Sequence, residues 1–234
     1  MNSPVAIIAG AGRGVGRETA RLLASAGYRI AIVARTASDL TETARLAGGS
    51  NILSITADVS DPDAAAQAVA QAADHFGTLD ALVNCAGIAP QLSIEQTSIK
   101  DWHDVLDTNL SSAFYLAKAA WPVFKKKQGG VIVNVSSEAS RDPFPGFLAY
   151  ASAKAGLNLL GKVLAKEGEP DGIRVHTVAP GAIETGMLRK LLSVDQYPAD
   201  KTLAPEDVAK VIIDCIAGPL KYSSGEVIWL HKTF

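Results

Sequence analysis

Little in this chain of 234 residues invites the chemistry of metals, disulfides or nucleic acids. It has two cysteines, Cys85 and Cys215, and four scattered histidines, none at metal-ligand spacing. That pattern argues against a structural zinc site and leaves two reduced thiols in a reducing compartment. Aromatic residues make up only 6%, so the core must rest mainly on aliphatic and small side chains. Net charge is nearly absent too: 22 Lys and Arg against 24 Asp and Glu leave a formal −2. Such a balance gives no long-range pull toward a phosphate backbone or an anionic bilayer, so neither nucleic acid nor membrane is an expected partner. No uninterrupted apolar run reaches the ~18–20 residues a membrane helix needs. Met1-Asn2-Ser3-Pro4 lacks the basic start and apolar core of a secretory signal, and a soluble, cytoplasmic protein is expected.

What the chain does have is 48% hydrophobic residues, 20 glycines and enough length for one large α/β domain. Val5 to Ala9 is a short apolar run ending in glycines, as a buried parallel strand would be. Similar runs at 29–34, 52–57, 81–84, 131–135, 174–179 and 226–230 bring the predicted strands to seven. Helical spacing predicts helices at about 15–26, 38–46, 62–76, 150–167 and 205–216. Ser98 caps a further long helical region that is interrupted near Thr108-Asn109 and ends at Gly129-Gly130. Strands alternating with helices imply parallel strands and right-handed crossovers. The expected fold is a single domain over 1–234, a Rossmann-like, doubly wound seven-stranded parallel sheet with helices on both faces. Ligands on such sheets lie beyond the carboxyl ends of the strands. The segment 181–204 lacks a clean period and is expected to cover the substrate as a loop.

After the first predicted strand comes Gly10-Ala11-Gly12-Arg13-Gly14-Val15-Gly16. Glycines allow a tight turn and close approach of backbone to a pyrophosphate, which then meets the free amides of a helix N-terminus. The spacing of Gly10, Gly14 and Gly16 is G-x-x-x-G-x-G rather than G-x-G-x-x-G. A cofactor with a free ribose 2′-hydroxyl usually meets Asp or Glu at the end of the second strand. Here that place holds Arg35 and Thr36. The guanidinium fork of Arg35 suits a 2′-phosphate, with Arg13 as the opposite wall, so NADP(H) is expected over NAD(H).

Tyr150 and Lys154 stand four apart and share one helix face. A phenol titrates near ~10 unperturbed, and a nearby ammonium is expected to lower that value toward general acid–base use. Ser137 ends the fifth predicted strand and Asn109 interrupts the long helix. With Asp58-Val59, Asn84-Cys85-Ala86-Gly87 and Pro180-Gly181-Ala182-Ile183-Glu184-Thr185, these residues resemble the short-chain dehydrogenase/reductase family over nearly the whole chain. Ser137, thirteen positions before Tyr150, matches the family's catalytic serine better than Ser136 does.

The resemblance implies that Tyr150 exchanges a proton with the substrate oxygen, and that Lys154 tunes Tyr150 and bonds the nicotinamide ribose. It implies that Ser137 holds the carbonyl oxygen, and that Asn109 holds a water linking Lys154 to solvent. Asp58 and Val59 would border the adenine, Asn84, Ala86 and Gly87 the middle of the cofactor, and Pro180, Gly181, Ile183 and Thr185 the carboxamide end. The substrate wall is expected from Glu138, Phe144, Phe147, Met187 and Leu188, with Leu191 at its edge. That mostly apolar set suits a ketone or aldehyde with a hydrophobic side.

Three departures stand out. Cys85 replaces the usual second Asn, and the common Asp-Gly-Gly after the last strand is absent. Members acting on carrier-linked acyl groups dock through arginines, where this chain has Gln128 and Asp171. The resemblance implies a homodimer or homotetramer, with the helix carrying Asn109, Phe114, Leu116 and Trp121 as a dimer face. The expected activity is NADPH-dependent reduction of a carbonyl, or the reverse. A 3-oxoacyl thioester reductase is the alternative, and a non-catalytic NADP(H)-binding sensor or scaffold is the alternative of another class. A sugar-nucleotide epimerase would need a substrate domain for which there is no room.

Overall fold

A computed structural model describes residues 3–48 and 51–232. Thr233 and Phe234, which follow the last predicted strand, lie outside the described residues. The strands are β1 (Val5–Ala9), β2 (Arg29–Ala34), β3 (Ile52–Thr56), β4 (Ala81–Asn84), β5 (Gly130–Val135), β6 (Ile173–Pro180) and β7 (Val227–Leu230). They form one seven-stranded sheet in the order β3-β2-β1-β4-β5-β6-β7. Every neighbouring pair is parallel. The order reverses between β1 and β4, and the loops that follow those two strands diverge there to leave a crevice.

The helices are α1 (Gly14–Ser25), α2 (Ala37–Leu46), α3 (Pro62–Phe76), α4 (Ile99–Leu106), α5 (Ser112–Lys127), α6 (Leu148–Gly168), α7 (Gly186–Leu191) and α8 (Pro205–Ile216). The Asp61 carboxylate caps α3 by accepting from the Ala64 amide at 2.7 Å, Pro62 opens the helix, and Gly77 closes it at φ 76°. Ser98 and Asp101 form a reciprocal capping box on α4. Between α4 and α5 the chain widens into a π-turn, Asp107–Ser111, centred on Asn109. This is the interruption that the sequence predicts.

The sheet is apolar on both faces, as the continuous β-branched runs require. One face packs β1, β5 and β6 residues such as Ile7, Ile132 and Val175 against α3 and α5. The other packs Ile8, Ile32 and Val133 against α1 and α8. Phe124 is fully buried, and a Cβ at Gly130 would overlap its ring, so the start of β5 must be glycine. Burying a side chain of that size contributes roughly 1.5–3 kcal/mol.

Two local expectations need correction. The long helix does not stop on glycine: Gln128 takes the left-handed turn at φ 55°, and Gly130 already belongs to β5. The segment 181–204 is not a bare loop. Thr185 caps α7 by accepting from the Leu188 amide, and Arg189 pairs with Glu184 while donating to the Tyr197 carbonyl at 2.8 Å. Its hydrogen bonds fold the segment back on itself, which is why no apolar period marks it.

Candidate active site

The crevice after β1 and β4 opens into a cavity of about 270 Å3. At its floor is the glycine loop. Gly10 has φ 76°, and a Cβ there would lie 2.6 Å from the Ala86 backbone nitrogen, so the loops after β1 and β4 touch through bare backbone. Arg13 at the N-cap of α1 offers no side-chain cap, which leaves the first-turn amides available to an anion. Two residues not singled out by the sequence hold this loop. The Thr43 hydroxyl donates to the Ala11 carbonyl at 2.9 Å, and Arg17 donates to the Gly12 carbonyl. The Gly10 and Ala11 amides donate to the Val33 carbonyl at 2.9 and 3.1 Å, so the amides left for a ligand are those at the start of α1. A buried threonine and an arginine on the inner turns of α1 and α2 were the signal.

At the adenosine end, Arg35, Thr36, Asp58 and Val59 all line the cavity. Thr36 begins α2 without a side-chain cap. The end of β2 holds no acid, but two acids approach it from other elements. Arg35 lies 3.7 Å from the Asp58 carboxylate, and Asp39 lines the same corner. The Arg35–Asp58 pair is solvent-exposed and long, so it is weak and can open for a stronger partner. Asp58 itself is pushed up by burial, but bonds from Ser60 and the Arg35 charge leave it below the usual carboxylate range.

At the other end, Asn109, Ser137, Tyr150 and Lys154 converge on the same cavity, with Pro180, Gly181, Ile183, Thr185 and Met187 as its roof. Tyr150 and Lys154 project from the first turns of α6. Lys154 is 4% exposed, and its ammonium donates to the Val135 carbonyl at 2.8 Å. Burial lowers its pKa to about 8. The Tyr150 phenol is raised rather than lowered from its ordinary value, because burial penalises the phenolate more than the Ser137 hydrogen bond favours it. The expected depression by Lys154 is not seen because the ammonium is directed at the Val135 carbonyl and burial makes it resist charging. Asn109 donates from its amide to the Ile88 and Val105 carbonyls, both at 2.9 Å, while its Oδ1 is buried and unpartnered. A Cβ at Gly87 would lie 2.8 Å from that oxygen and 3.7 Å from Lys154 Nζ, so Gly87 separates the two groups with backbone alone. The Cys85 thiol also lines the cavity; burial pushes it up to about 12, so it is a neutral wall rather than a nucleophile.

Several expected residues fall elsewhere. Asn84 is buried beneath the cleft, where it donates to Asn134 Oδ1 at 2.6 Å across β4 and β5. Its side chain ties the strands together and does not line the cavity. Glu138 turns to Arg141 at 2.9 Å, Phe144 is 63% exposed, and Phe147 packs its ring 6.0 Å from that of Tyr150. Leu188 also does not line the cleft. Of the expected substrate wall outside Ser137 and Tyr150, Met187 lines this cavity and Leu191 lines the one beyond it. A second cavity of about 320 Å3 continues past Met187, between Ile88, Pro90 and Val105 on one side and Leu191 and Lys190 on the other. Its α7 wall, Met187 and Leu191, is expected from the sequence, whereas the opposite wall is not, because it comes from α4 and the loop after β4, far from Tyr150 in sequence.

The comparisons with known proteins agree with this geometry. The family described as short chain dehydrogenase matches residues 4–195. A protein of Synechocystis named 3-oxoacyl-[acyl-carrier-protein] reductase is 33% identical over 218 residues, covering 91% of this chain and 88% of that one. The protein of that name from Escherichia coli K12 is 33% identical over 233 residues, covering 97% and 95%. Among solved structures, one assigned to a short-chain alcohol dehydrogenase of Sinorhizobium meliloti 1021 superposes with a TM-score of 0.92 at 30% identity, covering 98% of this chain and 95% of that one.

Proposed function

The chain belongs to the short-chain dehydrogenase/reductase family of oxidoreductases, and from that membership we propose that it reduces a ketone or aldehyde to an alcohol with NADPH, or runs the reverse reaction with NADP+. The observation that carries this reading is a single cavity joining the uncapped glycine loop to Asn109, Ser137, Tyr150 and Lys154. The donor set fits a nicotinamide dinucleotide. The open amides of α1 suit a pyrophosphate, and the uncapped Thr36 beside Arg35 suits a 2′-phosphate. Arg13, Gly10 to Gly16, Val59, Ala86, Gly87, Ile183 and Thr185 would hold the rest. When bound, the nicotinamide supplies or accepts the hydride at the substrate carbon.

The protein's own residues manage the oxygen and its proton. The Ser137 hydroxyl donates to the carbonyl oxygen and stabilises the negative charge that grows there. The Tyr150 phenol gives that oxygen its proton, so carbonyl becomes alcohol; in the reverse direction it takes the proton back. Lys154 supports the tyrosinate left behind, and the free Oδ1 of Asn109 accepts from a water that returns a proton toward Lys154. The cavity beyond Met187 takes the substrate's apolar body.

The reading of a 3-oxoacyl thioester reductase rests on the names of the relatives. Against a carrier-protein substrate, Asp171 lies 3.4 Å from the Lys125 ammonium and 3.4 Å from the Gln128 amide. An acidic group thus sits where an acidic carrier would need a cation. Thioesters not borne by a carrier remain in the substrate class. Among the described residues, no helix is long and apolar enough to cross a membrane. We further propose one domain, a cytoplasmic location and a homodimer or homotetramer. Leu116 is consumed by the core and Trp121 packs against it, so a dimer face on the long helices would use exposed Phe114 with Leu159 and Val163 of α6.

The test is an NADPH-oxidation assay across small ketones, aldehydes, quinones and coenzyme A thioesters. Turnover on members with an apolar side supports the reading. Tight NADPH binding with no turnover on any member contradicts it and favours a non-catalytic sensor.

A further inference from the structure

Ser137 must keep its hydroxyl in register with a phenol carried by a different element. Val135 and Ser136 are tied to α6 directly: the Val135 carbonyl accepts from the Lys154 ammonium at 2.8 Å, and the Ser136 hydroxyl donates to the Lys154 carbonyl at 3.1 Å. Ser137 itself, the next residue, is not held by either bond. A second set of contacts holds it. Glu138–Ser140 form a short 3-10 turn directly after Ser137. The Ser137 carbonyl accepts twice from Ser140: from its amide at 3.1 Å and from its hydroxyl at 2.6 Å. The Ser140 hydroxyl in turn accepts from the Asn158 side-chain amide at 2.8 Å. Asn158 lies on α6, one turn past Lys154 and two past Tyr150, so the three residues form one stripe along the helix.

The direction of donation is consistent along the whole path. Asn158 has protons to give and Ser140 has one hydroxyl proton, which goes to the Ser137 carbonyl. The Asn158 Oδ1 is buried with no partner, an unfavourable arrangement that a purely space-filling residue would avoid. The amide is therefore held for its N–H bond to Ser140.

We propose that Asn158 and Ser140 are positioning residues that lock Ser137 to the helix carrying Tyr150 and Lys154. This rests on the reductase reading of the site. Neither residue touches the cavity. Each acts only through the placement of Ser137, whose hydrogen bond to Tyr150 favours the phenolate against burial. Losing the lock should therefore weaken turnover and move the ionisation of Tyr150 upward, while leaving cofactor binding alone.

The experiment compares wild type with Ser140→Ala, Asn158→Leu and Ser140→Thr, the last retaining the hydroxyl. Three readouts are taken: kcat for carbonyl reduction, Kd for NADPH by fluorescence, and the Tyr150 ionisation from tyrosinate absorbance after subtraction of a Tyr150→Phe titration. Ser140→Ala and Asn158→Leu should each lower kcat about tenfold or more, since small misplacements of reacting groups are costly. They should raise the Tyr150 pKa and leave Kd for NADPH within about twofold. The double variant should be no worse than the more damaging single one, and Ser140→Thr should behave as wild type. Unchanged Tyr150 ionisation in both variants overturns the proposal. So does a rate loss that Ser140→Thr shares, or one accompanied by loss of NADPH binding. Should the wild type reduce no carbonyl, the reductase reading fails separately, and the absorbance titration still decides the positioning.

Discussion

The Lys154 ammonium lies over the Tyr150 ring, 5.7 Å from its centroid, and donates to the Val135 carbonyl rather than to the phenol. The two groups therefore meet ring to ammonium within one buried site, with no direct hydrogen bond between them. Burial brings Lys154 down to about 8 and raises Tyr150.

A pH dependence follows. Lys154 carries its charge below about 8 and loses it above, whereas the phenol stays protonated beyond its ordinary range. If reduction needs the ammonium to receive the developing tyrosinate, kcat/KM for the carbonyl should fall as pH rises through about 8. Lys154→Arg keeps its charge at all these pH values, so its lower rate should show no such limb. A pH–rate profile of both proteins checks this; an identical limb in the arginine variant would assign it to another group.

Arg35 stands at the mouth of the adenosine end, held only by its long pair with Asp58. Arg35→Ala should raise the KM for NADPH about tenfold or more, as loss of a charge-assisted phosphate contact does. The KM for NADH should stay near its wild-type value. Steady-state kinetics with both cofactors measure it, and an equal change for both would remove Arg35 from cofactor choice.

His176 is fully buried on β6, and neither ring nitrogen finds a partner of good geometry. Burial and the neighbouring Arg174 charge bring it down to about 4, with the Ser223 backbone opposing weakly. The native protein thus keeps His176 neutral while the unfolded chain takes up a proton below about 6.5, so stability is complete above that pH and declines as pH falls toward 4. The loss should approach roughly 1.4 kcal/mol per pH unit in that window. Urea unfolding on either side of it should show the decline in wild type and a smaller one in His176→Leu; matching declines would absolve His176.

Two glycines on the cavity wall, Gly16 in the glycine loop and Gly186 at the start of α7, should differ in their tolerance of a side chain. A Cβ on Gly16 would overlap the Gly10 carbonyl oxygen, while one on Gly186 meets nothing within 4 Å. Gly16→Ala should cost about 1–3 kcal/mol and abolish NADPH binding, because the loop must move. Gly186→Ala should stay within about 0.5 kcal/mol. Thermal melts with fluorescence titration of NADPH distinguish the two, and equal behaviour would mean the loop is not a rigid cradle.

Much of this was legible in the chain itself, for physical reasons. Strands buried on both faces must be continuously apolar, so β1, β2 and β4 stand out with nearly their observed limits. Asp61-Pro62 marks the start of α3 because caps use few residue types. Side chains on one helix turn, such as Tyr150 and Lys154, can be paired by counting. Contacts that span elements could not be counted. Asn84 looked like a ligand residue but meets Asn134 across the sheet. Asp58 comes to Arg35 from the next strand's end, and the second cavity is assembled from α4 and α7. The direction of the Tyr150 shift was misjudged because sequence shows a neighbouring charge but not the desolvation that outweighs it.

The central claim is that Tyr150 is the proton donor in NADPH-dependent carbonyl reduction. Tyr150→Phe removes one hydroxyl from a cavity whose cofactor end is left untouched. The decisive measurement is kcat for this variant on the best carbonyl substrate, beside its Kd for NADPH. The account predicts a loss of about a hundredfold or more in kcat, the scale of a positioned acid, with Kd within about twofold of wild type. A variant that binds NADPH normally and retains a kcat within about threefold of wild type would contradict it.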